Sequence, residues 1–350
     1  MPQVKVQAPN VVGISTCVPS LRFDNLKDTI HFTNTEVRKV VAMAGVAARR
    51  IVDPATCSTD LCFAAATHLI KSVDCRPETI DGLILITQTP DYFMPSSSCL
   101  LHHRLGLSKD CAAFDINLGC SGYIYGLWLA ALILSGGSCR KVLLLHGDTP
   151  TLYADKSDRS VSLLFGDAGS ATLLEAPTSD TPANWYFILH TDGAGFADLI
   201  IEGGGFRDRF SSDPRKHYVA MNGANVFNFT ITVLPPLIRD TLSLSGMSPE
   251  EIDYYIFHQS NQFIMNHVIK RVGLPPEKVP MILKEFGNTG GPSIPLTITQ
   301  GNLARPDGRP LNLMLLGYGV GLSWGSALIY LDRPAVLSHI ELPASSADNR

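Results

Sequence analysis

The sequence lacks the patterns that mark several classes of protein. Its eight cysteines form no CxxC pair and no spaced framework, and all fall in the first half, at positions 17, 57, 62, 75, 99, 111, 120 and 139. They are therefore expected to be reduced thiols of a cytoplasmic protein. No run of Lys or Arg is longer than a pair, and the net charge is −4. Nothing therefore indicates a nucleic-acid-binding protein.

One segment, residues 115–139, carries no charge after Asp115. Its length suggests a membrane span, but it contains Asn117, three Ser and five Gly. The most apolar part, residues 123–134, covers only about three helical turns. The N-terminus also shows no charged-then-apolar signal region. We expect a buried core helix and no membrane association.

Short apolar runs alternate with longer helical patterns, which indicates α/β layering. Strands are predicted at residues 82–86, 141–145, 171–174, 254–257 and 313–316. Helices are predicted at residues 59–72, 121–134, 223–243, 262–272 and 292–303.

A weak internal repeat points to a duplicated α/β unit. "RPETIDGLILI" at 76–86 is similar to "SPEEIDYYIFH" at 248–258, and "LFGDAGSATLLE" at 164–175 to "GLSWGSALIYL" at 321–331. Gly119-Cys120 opens one predicted helix, and Gly287-Asn288 opens another after "MILKEF". The linker-like "APTSDTPAN" then divides the chain into halves 1–178 and 179–350.

Three polar groups fall at strand ends or helix starts of the two halves: Cys120, His258 and Asn288. A duplicated fold brings such ends together. Taken singly, each residue has an ordinary explanation: a core thiol, a structural histidine and a turn. Their combination predicts a catalytic site.

Cys120 at a helix N-terminus would feel a dipole that favours the thiolate, while burial favours the thiol. A nearby His258 could shift that balance toward a nucleophile. Asn288 and the backbone N–H of Cys120 could each donate to an oxyanion, an interaction worth about 3–4 kcal/mol of barrier per donor.

Several segments closely resemble the signature blocks of β-ketoacyl-acyl-carrier-protein synthase III and its relatives in the thiolase superfamily. They are "DINLGCSGYIYGL", "FHQSNQFI", "FGNTGGPSIPL" and "GYGVGLSWGSALI", supported by "PDYFMPSSSCLLHHRLGL" and "LFGDAGSATLL". The resemblance implies a thiolase-like duplicated αβαβα five-layer fold, usually in a homodimer.

The resemblance also implies decarboxylative Claisen condensation of an acyl thioester with a malonyl-type (or β-ketoacyl) thioester. Cys120 would accept an acyl group from coenzyme A or acyl carrier protein. His258 and Asn288 would stabilise the enolate that forms when a malonyl-type thioester loses carbon dioxide. Backbone N–H groups of Cys120 and Val320 would hold the oxyanion. A neutral His258 would donate a hydrogen bond, and no metal or cofactor is required.

Further residues take their roles from the same resemblance. Arg159 would contact the coenzyme A nucleotide, and Asn261 the pantetheine arm. Met94 would reach from a partner subunit to shape the acyl pocket. Lys270 and Arg271 would help to dock an acidic carrier protein.

The chain departs from the family pattern at three places. Lys39 stands where an adenine-stacking Trp is common, Phe263 replaces an Arg that follows the catalytic His, and "GNTGGPS" replaces "GNTSAAS". These changes at substrate-binding positions favour specialised fatty-acid or secondary-metabolite biosynthesis (polyketide or quinolone-like) over fatty-acid initiation.

Other functions remain open from the sequence. One is acyl transfer to an amine, alcohol or water without decarboxylation, against which the presence of Asn288 argues. Another is a silent partner subunit of a heterodimeric synthase, which would not need all three polar groups. A type III polyketide synthase is disfavoured because "GYGVGLSWGSA" matches the carrier-dependent enzymes better.

Overall fold

The structure is a computed structural model. It describes residues 3–178, 183–303, 309–332 and 335–344.

The strands assemble into two large mixed sheets and two small two-stranded ones. Their bounds are β1 Gln3–Gln7, β2 Asn10–Pro19, β3 Arg22–Asp24, β4 Ala48–Arg50, β5 Gly82–Ile86, β6 Ala112–Ile116, β7 Lys141–Asp148, β8 Ala168–Glu175, β9 Asn184–Thr191, β10 Leu199–Ile200, β11 Ala220–Met221, β12 Tyr254–Phe257, β13 Leu311–Gly319, β14 Ser323–Leu331 and β15 Val336–Leu342. The six-stranded sheet has the order β15-β2-β8-β7-β5-β6, and the five-stranded sheet has the order β1-β9-β14-β13-β12.

The helices form three layers around these sheets. Their bounds are α1 Asn34–Ala44, α2 Ser58–Ser72, α3 Ser97–Arg104, α4 Gly122–Ser135, α5 Arg159–Ser162, α6 Gly223–Ser245, α7 Gln262–Val272, α8 Leu283–Phe286 and α9 Ser293–Gln300. Side chains of α4 and α9 share one apolar core with both sheets. Helix α2 packs on the outer face of the six-stranded sheet, and α6 and α7 pack on that of the five-stranded sheet. The result is the expected five-layer αβαβα architecture.

The internal repeat is visible in the strand pairing. In each large sheet, two antiparallel pairs are followed by a parallel pair: β2–β8–β7–β5 in one and β9–β14–β13–β12 in the other. The repeat-related segments 82–86 and 254–257 are the equivalent strands β5 and β12. The duplication inferred from weak sequence similarity therefore describes the fold.

The terminal strands cross between the halves. Strand β1 pairs with β9 of the second half, and β15 pairs with β2 of the first. The predicted boundary at 178/179 borders residues 179–182, which lie outside the described residues, and the division stays a prediction.

The uncharged segment forms the central helix α4, which is apolar on all sides because it lies between two sheets. In the part of the chain that the structure describes, no helix combines the length and apolar character needed to cross a membrane.

All ten predicted strands and helices are present. Three have the predicted bounds: β5, β12 and α7. The others differ mainly at their ends. One expectation was wrong: Asn288 does not open a helix, because α9 begins at Ser293 and residues 287–292 form the loop before it.

Candidate active site

Cys120 lies in the turn between β6 and the central helix α4. It immediately precedes the helix N-cap, Ser121. The backbone of Gly319 approaches it closely: a Cβ at that position would lie 2.6 Å from Cβ and 2.8 Å from Sγ of Cys120. Gly319 also has φ +152°, a conformation that side chains rarely allow. This position therefore requires glycine.

The Cys120 thiol is protonated at rest. Burial raises its pKa to about 11, while hydrogen bonds from the backbone N–H groups of Val320 and of Cys120 itself act to lower it. Burial thus outweighs the helix terminus. The two N–H groups nonetheless lie beside the sulfur, close to where the oxygen of an acyl-cysteine oxyanion would form.

His258 follows strand β12 and is only 1% exposed. Its Nδ1 lies 2.8 Å from Oγ of Ser293. Burial lowers the pKa of the imidazole to about 3, so the ring is neutral at physiological pH. A neutral ring can donate one hydrogen bond without carrying charge.

Asn288 lies in the loop before α9 and is 6% exposed. Its Oδ1 accepts from the N–H of Gly290 at 2.9 Å, which fixes the orientation of the amide. Its Nδ2 makes only a long contact of 3.4 Å to the carbonyl of Ser260. The amide N–H group is therefore the part of this side chain most available to a ligand.

Two cavities meet at Cys120. The first, about 530 Å³, is lined by Cys120, His258 and Asn288, and also by Arg159, Asn261 and Phe263. The second, about 710 Å³, is lined by Cys120 and Val320 together with Gln88, Asn117, Asp148, Phe93, Phe196, Ile201 and His217. His258 and Asn288 border only the first, so the two sides of the thiol differ chemically.

Comparison with known proteins identifies the family of this chain. Residues 114–193 match the family model of 3-oxoacyl-[acyl-carrier-protein (ACP)] synthase III, and residues 242–331 match the model of its C-terminal part. The β-ketoacyl-[acyl-carrier-protein] synthase III of Coxiella burnetii is 33% identical, over 92% of this chain and 98% of the relative. The chain belongs to the 3-oxoacyl-[acyl-carrier-protein] synthase III family. This is a family of acyltransferases.

Solved structures of the family superpose closely. The 3-oxoacyl-(acyl-carrier protein) synthase from Burkholderia xenovorans has a TM-score of 0.92 and 39% identity, covering 97% of this chain and 99% of that one. The priming β-ketosynthase from the R1128 polyketide pathway has a TM-score of 0.83 and 26% identity, covering 94% and 98%.

Three further predicted positions of this synthase III chain border the first cavity. The side chain of Arg159 is half-exposed, and its Nη1 lies 3.1 Å from Oε1 of Glu36. Asn261 caps α7, and its Oδ1 accepts from the N–H of Phe263 at 2.8 Å, which leaves its Nδ2 for a ligand. Phe263 is 53% exposed, and its ring stacks on that of Phe227 with the ring centroids 5.6 Å apart. The mouth of the cavity is thus aromatic where the family pattern has an arginine.

The remaining predicted residues lie away from both cavities. Met94 is 83% exposed and lines neither cavity of its own chain, although its neighbour Phe93 lines the second. Lys270 and Arg271 are exposed in the last turn of α7, the helix whose first turn borders the first cavity. Lys39 is exposed on α1.

Sequence reasoning missed several residues of the site. Ser293 holds His258, Tyr318 packs edge-on against its ring at 5.5 Å, and Gly319 approaches the thiol. Tyr318 and Gly319 lie within "GYGVG", where two closely spaced glycines before Val320 were a usable signal. Nothing in the sequence indicated that Asp148 and His217 would line a cavity with Cys120.

Proposed function

We propose that this synthase III-family protein catalyses decarboxylative Claisen condensation through an acyl group carried on Cys120. One observation supports it most: the thiol lies where two cavities meet, and only the first is lined by the neutral His258 together with the amide of Asn288. Such a geometry suits a reaction with two thioesters. One is the acyl group held on Cys120, and the other is activated in the first cavity beside it.

In the first half-reaction, Sγ of Cys120 attacks the carbonyl carbon of an acyl thioester. The tetrahedral oxyanion accepts hydrogen bonds from the N–H groups of Cys120 and Val320. It then collapses to an acyl-cysteine, and the donor leaves as a free thiol that takes the proton of Cys120. The acyl chain extends into the second cavity.

In the second half-reaction, a malonyl-type thioester binds in the first cavity. Nδ2 of Asn288 and Nε2 of His258 donate to its thioester oxygen, which carries the enolate charge as the carboxylate leaves as carbon dioxide. Ser293, by donating its hydroxyl to Nδ1, would keep the histidine proton on Nε2. The enolate carbon attacks the acyl-cysteine, and the β-ketoacyl thioester forms as the thiolate of Cys120 is released.

The neutrality of His258 matters for this step. A protonated imidazole would hold the malonyl carboxylate as an ion pair and oppose its loss, whereas a neutral donor stabilises only the enolate that develops. Burial of His258, which holds its pKa near 3, therefore serves the chemistry.

We further propose a specialised biosynthetic role and a homodimer. The stacked rings of Phe227 and Phe263 at the cavity mouth supply an apolar surface in place of a cation, which supports a substrate other than the usual one.

Exposed Phe93, Met94, Phe206 and Phe210 offer an apolar face for a second subunit. Light scattering should give twice the monomer mass; a monomer would contradict this part.

The experiment is intact-mass spectrometry after incubation with a panel of acyl-CoA and acyl-carrier-protein donors. At least one donor should add its acyl mass, and Cys120→Ala should abolish the addition. Cys139→Ala, which removes another partly buried thiol just beyond the far end of α4, is the matched control and should acylate normally.

Decarboxylation separates the roles of the two sides. Malonyl thioester should still lose carbon dioxide in Cys120→Gln, and this loss should fall at least about a hundredfold in Asn288→Ala. Acylation without any malonyl turnover would instead indicate transfer to an amine, alcohol or water. Absence of acylation from every donor would contradict the condensing function.

A further inference from the structure

Two titratable side chains that the condensation does not use lie next to the nucleophile. His146 and Asp148 are alternate residues of β7, so both project from the same face of the strand. Between them, Gly147 faces the outer helix α2, since a Cβ there would lie 2.9 Å from the carbonyl of Ser58. His146 and Asp148 therefore point into the central layer that holds α4 and α9.

The His146 ring occupies a space made by two glycines. A Cβ at Gly122, the first residue of α4, would lie 3.0 Å from Cε1 of His146. A Cβ at Gly291 would overlap the ring itself. This contact explains why the Asn288 loop reads "GNTGGPS": any side chain at Gly291 would displace His146.

The ring is polar yet fully enclosed. Its side chain is 0% exposed, and neither ring nitrogen has a hydrogen-bond partner among the described residues. Its Nε2 lies 3.5 Å from Oδ2 of Asp148. Burying an apolar side chain at this position would cost less free energy than burying an imidazole. The contact with the carboxylate of Asp148 is therefore the one that accounts for a histidine here.

Among the described residues, Asp148 forms no ion pair with any other cationic side chain. Its Oδ1 accepts from the N–H of Gln88 at 2.8 Å and from the hydroxyl of Thr87 at 3.5 Å, and His146 is its only ion-pair partner among the described residues. It lines the second cavity together with Cys120, and its negative charge acts to raise the pKa of that thiol.

Asp167 is another buried carboxylate, and its hydrogen-bond partners differ from those of Asp148. Asp167 accepts from the backbone N–H groups of Val52 and Thr151 at 2.8 and 3.0 Å and from the hydroxyl of Thr151, and it lies close to the charge of Arg49. Both of its oxygens are satisfied by the surrounding loops. Oδ2 of Asp148 depends on His146 alone.

We propose that a protonated His146 places a positive charge 3.5 Å from the carboxylate of Asp148 and so offsets the charge of that carboxylate beside Cys120. His146 is then a positioning residue, which acts on the nucleophile through Asp148 without touching the substrate. The inference rests on the proposed role of Cys120 as the nucleophile.

The other groups around Cys120 do not supply this compensation. His258 is neutral. Tyr153 and Tyr318 both have pKa values raised by burial and are also neutral. Asp158 and Arg159 line the first cavity and His217 lines the second, but the charge that acts to raise the pKa of the thiol is that of Asp148.

The test is the rate at which iodoacetamide alkylates Cys120, followed by mass spectrometry of the peptide that contains it. At about pH 8, well below the thiol's pKa, this rate follows the fraction of thiolate. His146→Asn should slow alkylation about five- to tenfold, because it leaves an uncompensated carboxylate. Asp148→Asn should alkylate at close to the native rate, because it removes the carboxylate together with the need for compensation, and the double variant should restore the rate lost in His146→Asn.

A residue that merely fills space would change the melting temperature, and the alkylation rate would not be rescued by adding Asp148→Asn. The proposal is overturned if His146→Asn leaves the rate unchanged or if the double variant stays as slow as His146→Asn. Should His146→Asn fail to fold, Asp148→Asn alone decides, since a marked acceleration would show that the carboxylate is not compensated in the native protein. Alkylation needs no acyl donor, so failure of the condensing function would leave this result intact.

Discussion

The two cavities that meet at Cys120 are built in different ways. The reactive side chains of the first come from the core: His258 and Asn288 are almost fully buried and are held by Ser293 and the N–H of Gly290. Much of the wall of the second comes from the irregular stretch between β9 and α6, where Phe196 is 62% and Ile201 39% exposed.

We propose that the first cavity carries out the chemistry and that the second selects the substrate. Groups that stabilise a charge must be fixed before the reaction, which favours side chains locked between two sheets. A wall of loop residues can change shape and size without disturbing them. We expect substitutions on the first side to change rates for every substrate, and those on the second to change which substrates react.

The largest effect is expected at Gly319, which lies against the thiol. Gly319→Ala adds a Cβ that would contact both Cβ and Sγ of Cys120. Because a displacement of about 1 Å can cost about a hundredfold in rate, acylation should fall by at least that factor. Mass spectrometry over time measures it.

The matched control for that change is Gly205→Ala. Gly205 lines the second cavity, and a Cβ there would meet nothing within 4 Å. It should acylate at close to the normal rate with short donors. Equal rates for the two variants would show that close approach of the backbone to Cys120 is unimportant.

A smaller and selective effect is expected in the second cavity. Ile201→Trp should fill space from its wall, so acylation by long-chain donors should fall about tenfold or more relative to acetyl donors. Ile201→Ala should leave that ratio unchanged or shift it toward long chains. If Ile201→Trp slows all donors equally, the second cavity does not hold the acyl chain.

The smallest effect is expected on α7, outside both cavities. Lys270→Glu/Arg271→Glu reverses two exposed charges and should slow transfer from an acidic carrier protein about three- to tenfold, with CoA donors unaffected. Lys71→Glu/Arg76→Glu makes the same charge change near the end of α2 and should have no effect on either. Equal loss with both donors would argue against a docking site on α7.

The sequence predicted the fold well because its signals were local. Runs such as "GLILI" at 82–86 can be buried in only a few ways, and a duplicated unit repeats its pattern. The predictions were weaker at the ends of helices and strands. The loop before α9 has the sequence pattern of a helix start, but the backbone turns at Gly290, which has φ +67°, before the helix begins.

The candidate site was only partly predictable. Cys120, His258 and Asn288 each stand in a recognisable motif, whereas Asp148 and His146 lie in "LLLHGDT", which reads as an ordinary strand end. Their importance depends on Gly122 and Gly291, which are 24 residues before and 145 residues after His146 and leave room for its ring. No local pattern encodes such a contact.

By itself, the sequence determined the layered α/β architecture, the duplication and the three polar groups, because periodicity and motifs act over short distances. Only the tertiary structure decided the electrostatic state of the site. Burial raises the pKa of Cys120 and lowers that of His258, and the charge of Asp148, which lies beside His146, acts to raise the pKa of the thiol. These quantities depend on which groups exclude water from one another, and that depends on how the two halves pack together.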